Sequence, residues 1–362
     1  MYVAAVGLAM FLLYRLHCRC YRRLWDRGLS FRAGFSQSEA FEGDEVQLRM
    51  ELANDKFLPL PWVSVSTGLP DDFGDAAGRP AGGMLAAAMP YRILKKRAGC
   101  ACKKRGAYRL RRARIAVANL LHTEEFVKDA PLGGELVVYP RTLEDSPAAA
   151  LALRAVDSLV QSRRPLNPDP FEFRGIREYM PTDPLKSVNF KATAVAQRLM
   201  VNVHAPTTER RLALALNMDG AEDYLKAELY EQSIRLAATL AKRYISDGAD
   251  LSFFTNGLDA ESRESLAAGG GTSGGHLHRI YDCLARVSLL LGPPPMGEFL
   301  DRFCDRERVL VLVSPAAGAG LAEALERLAL RQVACVAVAP YFSRAELGAP
   351  RADVVPWDAR EP

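Results

Sequence analysis

Four runs in the second half of the chain are apolar without alternating: Arg211 to Asp219 (RLALALNMD), Ala249 to Thr255 (ADLSFFT), Arg308 to Val313 (RVLVLV) and Val333 to Ala339 (VACVAVA). A strand with one wet face alternates polar with apolar residues, so runs of this kind have to be covered on both sides. Covering helices are predicted between them, at Glu222 to Ile245, His276 to Leu291, Gly297 to Cys304 and Leu321 to Leu330. Strands alternating with helices point to a parallel, doubly wound α/β sheet, whose ligands sit at the carboxyl ends of the strands. Asp219, Thr255 and Ser314 occupy those ends.

The first half follows a different period. Val46, Leu48, Met50 and Leu52 alternate with Gln47, Arg49 and Glu51, the mark of a half-buried strand. Trp62 to Ser66, Tyr108 to Val117 and Glu135 to Tyr139 read likewise, with turn residues at Glu42-Gly43-Asp44, Asn54-Asp55 and Gly133-Gly134. These elements predict a small antiparallel β-sandwich with a structural role. It carries a basic band: Lys95 to Arg97, Lys103 to Arg105, then Arg109, Arg111, Arg112 and Arg114. Only Tyr91 and Tyr108 lie near it to stack on bases, and the net charge is just +4, from 47 basic and 43 acidic residues. Both points argue against a nucleic-acid partner and leave anionic lipid, which attracts each surface Lys or Arg by roughly 1 kcal/mol.

A membrane also fits the amino terminus. Tyr2 to Tyr14 (YVAAVGLAMFLLY) is unbroken apolar sequence, followed by Arg15, Arg19, Arg22, Arg23 and Arg27. Charge after the run, with no small-residue cleavage site, reads as a retained anchor instead of a signal peptide. As helix the run makes about 20 Å against a hydrocarbon core of ~30 Å, so a span needs snorkelling or local thinning. The positive-inside rule places the arginines, and the chain after them, on the cytoplasmic side of the cell membrane. Seven cysteines, an odd number, read as thiols of a reducing compartment, and the C-x-C pairs Cys18/Cys20 and Cys100/Cys102 lack the usual zinc spacing.

Between the two halves lies Phe171 to Ala194, FEFRGIREYMPTDPLKSVNFKATA, too charged for a core and too aromatic for a linker. Arg177 and Glu178 are neighbours, so in a strand they face opposite ways and each needs another partner. Pro181 to Pro184 forms a turn that brings Asp183, Lys186 and Lys191 back towards them. Two outcomes are open: a charged recognition surface, or a buried salt-bridge network locking the β and α/β parts together. A proline-rich connector, Asp157 to Pro170, leads into the segment.

Arg177, Glu178, Tyr179, Pro181, Asp183, Lys191, Ala192 and Ala194 resemble the signature of domain-of-unknown-function family fifty-eight, bacterial membrane-associated proteins with a von Willebrand factor A-like domain. Thr182 stands where that pattern has glycine, Phe190 where it has tryptophan, and Thr193 where it has serine. The resemblance implies an anchor and basic flank at 1–28, a β-sandwich at 29–145, a junction helix with the signature at 146–205, the α/β domain at 206–345 and a tail at 346–362. It further implies a membrane-anchored adaptor partnering a MoxR-type AAA+ ATPase, without catalytic activity.

Von Willebrand A-like domains hold a divalent ion with an Asp-x-Ser-x-Ser loop, and here that loop reads Asp219, Gly220, Ala221, Glu222, Asp223. Loss of both serines leaves Asp219 and Asp223 as a degenerate site for Mg²⁺, a hard cation wanting about six oxygens. A metal-dependent binder is therefore the alternative function, and a cell-envelope hydrolase a weaker one. No P-loop is present, no nucleophile–base arrangement stands out, and Gly269 to Gly275 (GGGTSGG) is a plain flexible loop, so no catalytic residue is assigned.

Overall fold

The computed structural model describes residues 2–70, 73–74, 81–144, 146–162, 168–181, 183–206, 211–303, 309–315, 319–342 and 354–360. The chain divides into two compact units, Met1–Arg141 with Leu284–Arg286, and Thr142–Cys283 with Val287–Pro362.

The first unit opens with helix α1, Tyr2–Leu24, long and apolar enough to cross a membrane. The strands β1 (Leu29–Phe35), β2 (Glu39–Phe41), β3 (Glu45–Asn54), β4 (Leu60–Ser66), β5 (Gly83–Ala88), β6 (Arg92–Ala101), β7 (Gly106–Arg109), β8 (Arg112–Ala118), β9 (Glu125–Pro131) and β10 (Glu135–Tyr139) follow. They form sheets ordered β1-β3-β6, β5-β4-β8-β9 and β2-β10-β7. Period two does the work expected of it: Val46, Leu48, Met50 and Leu52 of β3 meet Val63, Val65, Ile115 and Val117 of the second sheet in one core. The single strand expected over Tyr108 to Val117 is two. The chain turns at Leu110, itself buried, so that β7 pairs with β10 while β8 pairs with β4 and β9, a sheet-switching corner. That corner also splits the basic band. Lys95 and Arg97 lie on β6, Arg109 on β7, Arg112 and Arg114 on β8, and Glu51, Glu135 and Asp129 pair with Lys95, Arg109 and Arg112.

The second unit contains α2 (Pro147–Ser162), β11 (Pro168–Glu178), α3 (Phe190–Ala196), β12 (Met200–Pro206), β13 (Arg211–Leu216), α4 (Ala227–Ser246), β14 (Asp250–Leu258), β15 (Ser265–Ala268), all but the last three residues of α5 (Gly274–Arg286), α6 (Met296–Phe303), β16 (Val309–Val313), α7 (Ala319–Leu330), β17 (Cys335–Tyr341) and β18 (Val354–Asp358). Six of its strands make one sheet, β15-β14-β13-β16-β17-β18, parallel except for the edge strand β15. Ala213 and Ala215 of β13 face α6 and α7, through Met296, Leu300, Leu321 and Leu328. Helix α4 covers the other side, packing on β13, β14, β16 and β17. The non-alternating runs thus have the two covers they require, in a doubly wound α/β fold. Residues read as a carboxyl-terminal tail supply β18, whose Trp357 is 2% exposed. The charged segment that follows the proline-rich connector pairs within this second unit, as the antiparallel hairpin β11–β12.

Candidate functional site

From β13 the chain moves to β14 on one side of it, and then to β16 on the other. The order reverses between β13 and β16, and ligand clefts of open α/β sheets lie at that reversal. A buried polar residue follows each strand there, Asn217 and Ser314. Asn217 Nδ2 donates to Ser314 Oγ at 2.9 Å, its backbone N–H donates to Val313 O, and its Oδ1 accepts the Asp219 N–H. Strand β14 contributes Thr255 and Asn256, both fully buried. Thr255 Oγ1 donates to Leu216 O at 2.8 Å. Asn256 uses every group it has: Nδ2 donates to Asp219 Oδ1 at 2.7 Å and to Pro294 O at 2.8 Å, while Oδ1 accepts the Met218 N–H at 2.8 Å.

Asp219 also receives the N–H of Met296, first residue of α6, at 3.3 and 3.4 Å from its two oxygens. A carboxylate suits the positive end of a helix. Burial pushes the Asp219 carboxyl above its ordinary range, against the pull of the Met296 and Asn256 donors. The Tyr230 hydroxyl donates to Asp219 O, and Gly220 beside it takes φ +81°, a region open to glycine.

This arrangement does not suit a hard cation. The Met218 N–H fixes the Asn256 amide so that its NH₂, not its oxygen, faces Asp219, and the carboxylate is met by N–H donors. Asp223 is engaged apart from it, its Oδ1 accepting the Leu225 N–H and capping the short 3-10 turn Tyr224–Lys226. Among the described residues no group of three or more His, Cys, Asp or Glu side chains is placed to hold a metal. Asn217 and Asn256, which the reading of the sequence passed over, are the keystones; their signal was a polar residue directly after an apolar strand run.

The hairpin β11–β12 is the second candidate. Arg177 grips Asp183 in a two-pronged pair, Nη2 to Oδ1 at 2.6 Å and Nη1 to Oδ2 at 2.7 Å, and Asp183 Oδ2 also accepts the Met180 N–H. The Arg177 guanidinium, then the Met180 N–H, holds the Asp183 carboxyl below the usual carboxylate range. Glu178 pairs instead with Arg198 at 3.4 Å, and the Tyr179 N–H bonds Leu199 O. Pro181 is exposed at the turn; Thr182, whose departure from glycine bears on that turn, lies outside the described residues. Lys191 sits on α3, started by Asn189 capping the Ala192 N–H and ended by Gln197 in the left-handed region; Lys186 and Lys191 make no ion pair among the described residues. These pairs face water, with Arg198 and Glu178 63% and 62% exposed, so the alternative of a buried salt-bridge network does not hold.

What the hairpin exposes is apolar. Phe173 is 57% exposed, Ile176 44% and Phe190 79%. A bulge between Phe173 and Gly175 brings the first two together: Phe173 pairs with His204, Ile176 with Asn202 and Glu178 with Met200, so all three share a face. Arg177 pairs with Val201, which is buried, on the opposite face.

No family model matches the chain, and no curated protein matches it. Among solved structures, the CARDB domain of a Pyrococcus furiosus protein, in complex with di-metal ions, is 10% identical over 29% of this chain and 90% of that one, with a TM-score of 0.19. The seventh ScaB type I cohesin of Pseudobacteroides cellulosolvens is 11% identical over 32% and 95%, TM-score 0.19. The sporulation control protein Spo0M of Bacillus subtilis is 10% identical over 42% and 58%, TM-score 0.19. Likeness this distant carries no functional argument.

Proposed function

We propose that this protein is a non-catalytic adaptor, held at a membrane by α1, that offers the hairpin β11–β12 and helix α3 to a protein partner. The carrying observation is the set of exposed apolar side chains, Phe173, Ile176 and Phe190, on a frame fixed by the Arg177–Asp183 pair and the Asn189 cap. Isolated apolar residues on a surface are ordinary, but Phe173 and Ile176 share one hairpin face with the charged Glu178, and mixed apolar and charged surface of that kind suits a protein contact. The polar cluster at the switch point supports the same reading, because among the described residues its groups are spent on one another. The resemblance of residues 177 to 194 to family fifty-eight supplies the kind of partner, a MoxR-type AAA+ ATPase, and the arginines after Tyr14 supply a cytoplasmic orientation.

Affinity purification of the full chain from its native membranes tests this. The wild type is expected to recover a P-loop ATPase, and Ile176→Asp with Phe190→Asp to recover at least tenfold less at unchanged expression. Equal recovery by that double variant rejects the hairpin as the contact.

A further inference from the structure

Helix α1 does not leave the β unit at random. Residues Tyr2 to Leu16 are exposed, and packing begins at His17 and Cys18. From there the helix is fastened to one end of the sandwich: the Tyr21 hydroxyl donates to Pro59 O at 2.7 Å, Arg22 pairs with Glu124, Trp25 stacks on Phe126, and Lys56 Nζ reaches Trp25 O. Three loops surround that attachment, 55–59 between β3 and β4, 89–91 between β5 and β6, and 119–124 between β8 and β9. Buried Asn54 binds two of them together, its Nδ2 donating to Leu58 O, Ala88 O and Met89 O at 3.0, 3.0 and 3.1 Å. Asn119 ties the third by bonds to Thr123, and Tyr91 and His122 take left-handed φ of 53° and 52° within them. Loops so constrained hold their side chains where they are.

Those side chains are large and apolar. Phe57 is 62% exposed, Met89 54%, Tyr91 69%, and Leu120 and Leu121 55% each. They occur in all three loops, around the base of the apolar helix. The apolar stretch of α1 stops at Tyr14, and Arg15, its guanidinium over the Phe11 ring, marks the level of the lipid headgroups. Cys18, already buried against the β unit, is only about 5 Å further along the helix axis at 1.5 Å per residue. The loops fasten to α1 at Tyr21, Arg22 and Trp25, about 9–15 Å beyond Arg15 along the axis, which sets their exposed side chains just on the aqueous side of the headgroup level, within reach of an interfacial layer that favours tyrosine and leucine.

We infer that the loop collar of Phe57, Met89, Tyr91, Leu120 and Leu121 inserts into the membrane interface and seats the β unit directly on the bilayer. This rests on the reading of α1 as a membrane anchor, and it assigns the lipid contact to the helix end of the sandwich instead of the basic band along its strands. The collar also answers the shortness of the apolar run, since a unit drawn into the interface leaves less thickness for the helix to cross.

The test uses the full chain in vesicles of phosphatidylcholine and phosphatidylglycerol containing lipid spin-labelled near the headgroup. A fluorescent amino acid is introduced by codon suppression at Leu121 or, separately, at exposed Lys103, beyond the opposite end of β3 and about 30 Å away. Quenching at Leu121 at least threefold stronger than at Lys103 is expected. If the chain floats with the vesicles but both sites are quenched alike, the seating is overturned and the anchor stands. If the chain does not float, the anchor reading fails and the seating with it.

Discussion

Asp219 at the end of β13 and Asp183 in the turn after β11 do the same local thing, accepting backbone and side-chain N–H donors, yet they belong to regions built on opposite logic. Around Asp219, itself half-buried, the polar groups of Asn217, Asn256 and Ser314 are buried and answered by one another, and the result joins β13, β14, β16 and α6. Around Asp183 the Arg177 guanidinium and the Glu178–Arg198 pair reach the surface, and large apolar side chains, Phe173, Ile176 and Phe190, stay partly or mostly exposed. A saturated polar cluster in a place where ligands usually bind speaks for a scaffold, whereas exposed apolar residues on a fixed hairpin speak for a contact. The two carboxyls titrate accordingly, Asp219 above the ordinary range and Asp183 below it.

The comparison is broken most directly at Asn256. Asn256→Ala leaves the Met218 N–H, Pro294 O and a half-buried carboxylate without their partner, and should cost roughly 3 kcal/mol or more in chemical denaturation. Phe190→Ser in the hairpin should change stability by less than about 0.5 kcal/mol. Equal effects would erase the distinction between the regions.

Lys56 carries the theme of buried charge into the β unit. Its side chain is buried beneath the collar, and desolvation lowers its pKa from 10.5 to about 8. Below pH 8 both folded and unfolded forms are protonated and the folded state bears the burial cost in full. Between pH 8 and 10.5 the unfolded chain binds more protons, so this residue's term makes stability rise with pH, by on the order of 3 kcal/mol over the window. Lys56→Met should flatten that rise, as followed by denaturation at a series of pH values.

The smallest expected effect is the response to magnesium. With Asp219 engaged by N–H donors, added Mg²⁺ should leave the thermal transition of the full chain within about 1 °C; a larger shift that vanishes in Asp219→Ala would restore the metal-binding alternative.

Much of the fold was legible because it depends on period. The alternation from Val46 to Leu52 and the unbroken runs at Arg211, Arg308 and Val333 report one wet face or none, and neither needs knowledge of neighbours. The break of Tyr108 to Val117 at Leu110 was not legible, since both halves keep strand character and only the choice of sheet changes. The strand Val354–Asp358 hid for a related reason: PWDAR reads as tail until a sheet edge beside Cys335–Tyr341 exists to receive it. At the site, Asp219 was found from its place after a strand, but its partners, Asn256 and Met296, come from distant segments that the loop to Asp223 does not reveal.

The sequence by itself determined the division into a period-two half and an α/β half, the apolar helix with its arginine flank, and the charged hairpin segment. These follow from short-range spacing, which solvent exposure reads residue by residue. Only the tertiary structure decided that Asp219 is a clamp, that Arg177 pairs with Asp183 and Glu178 with Arg198, and that Phe57, Tyr91 and Leu121 gather at the foot of α1. Such facts turn on which side chains converge from far along the chain, and hydrogen-bond saturation and burial exist only once they have.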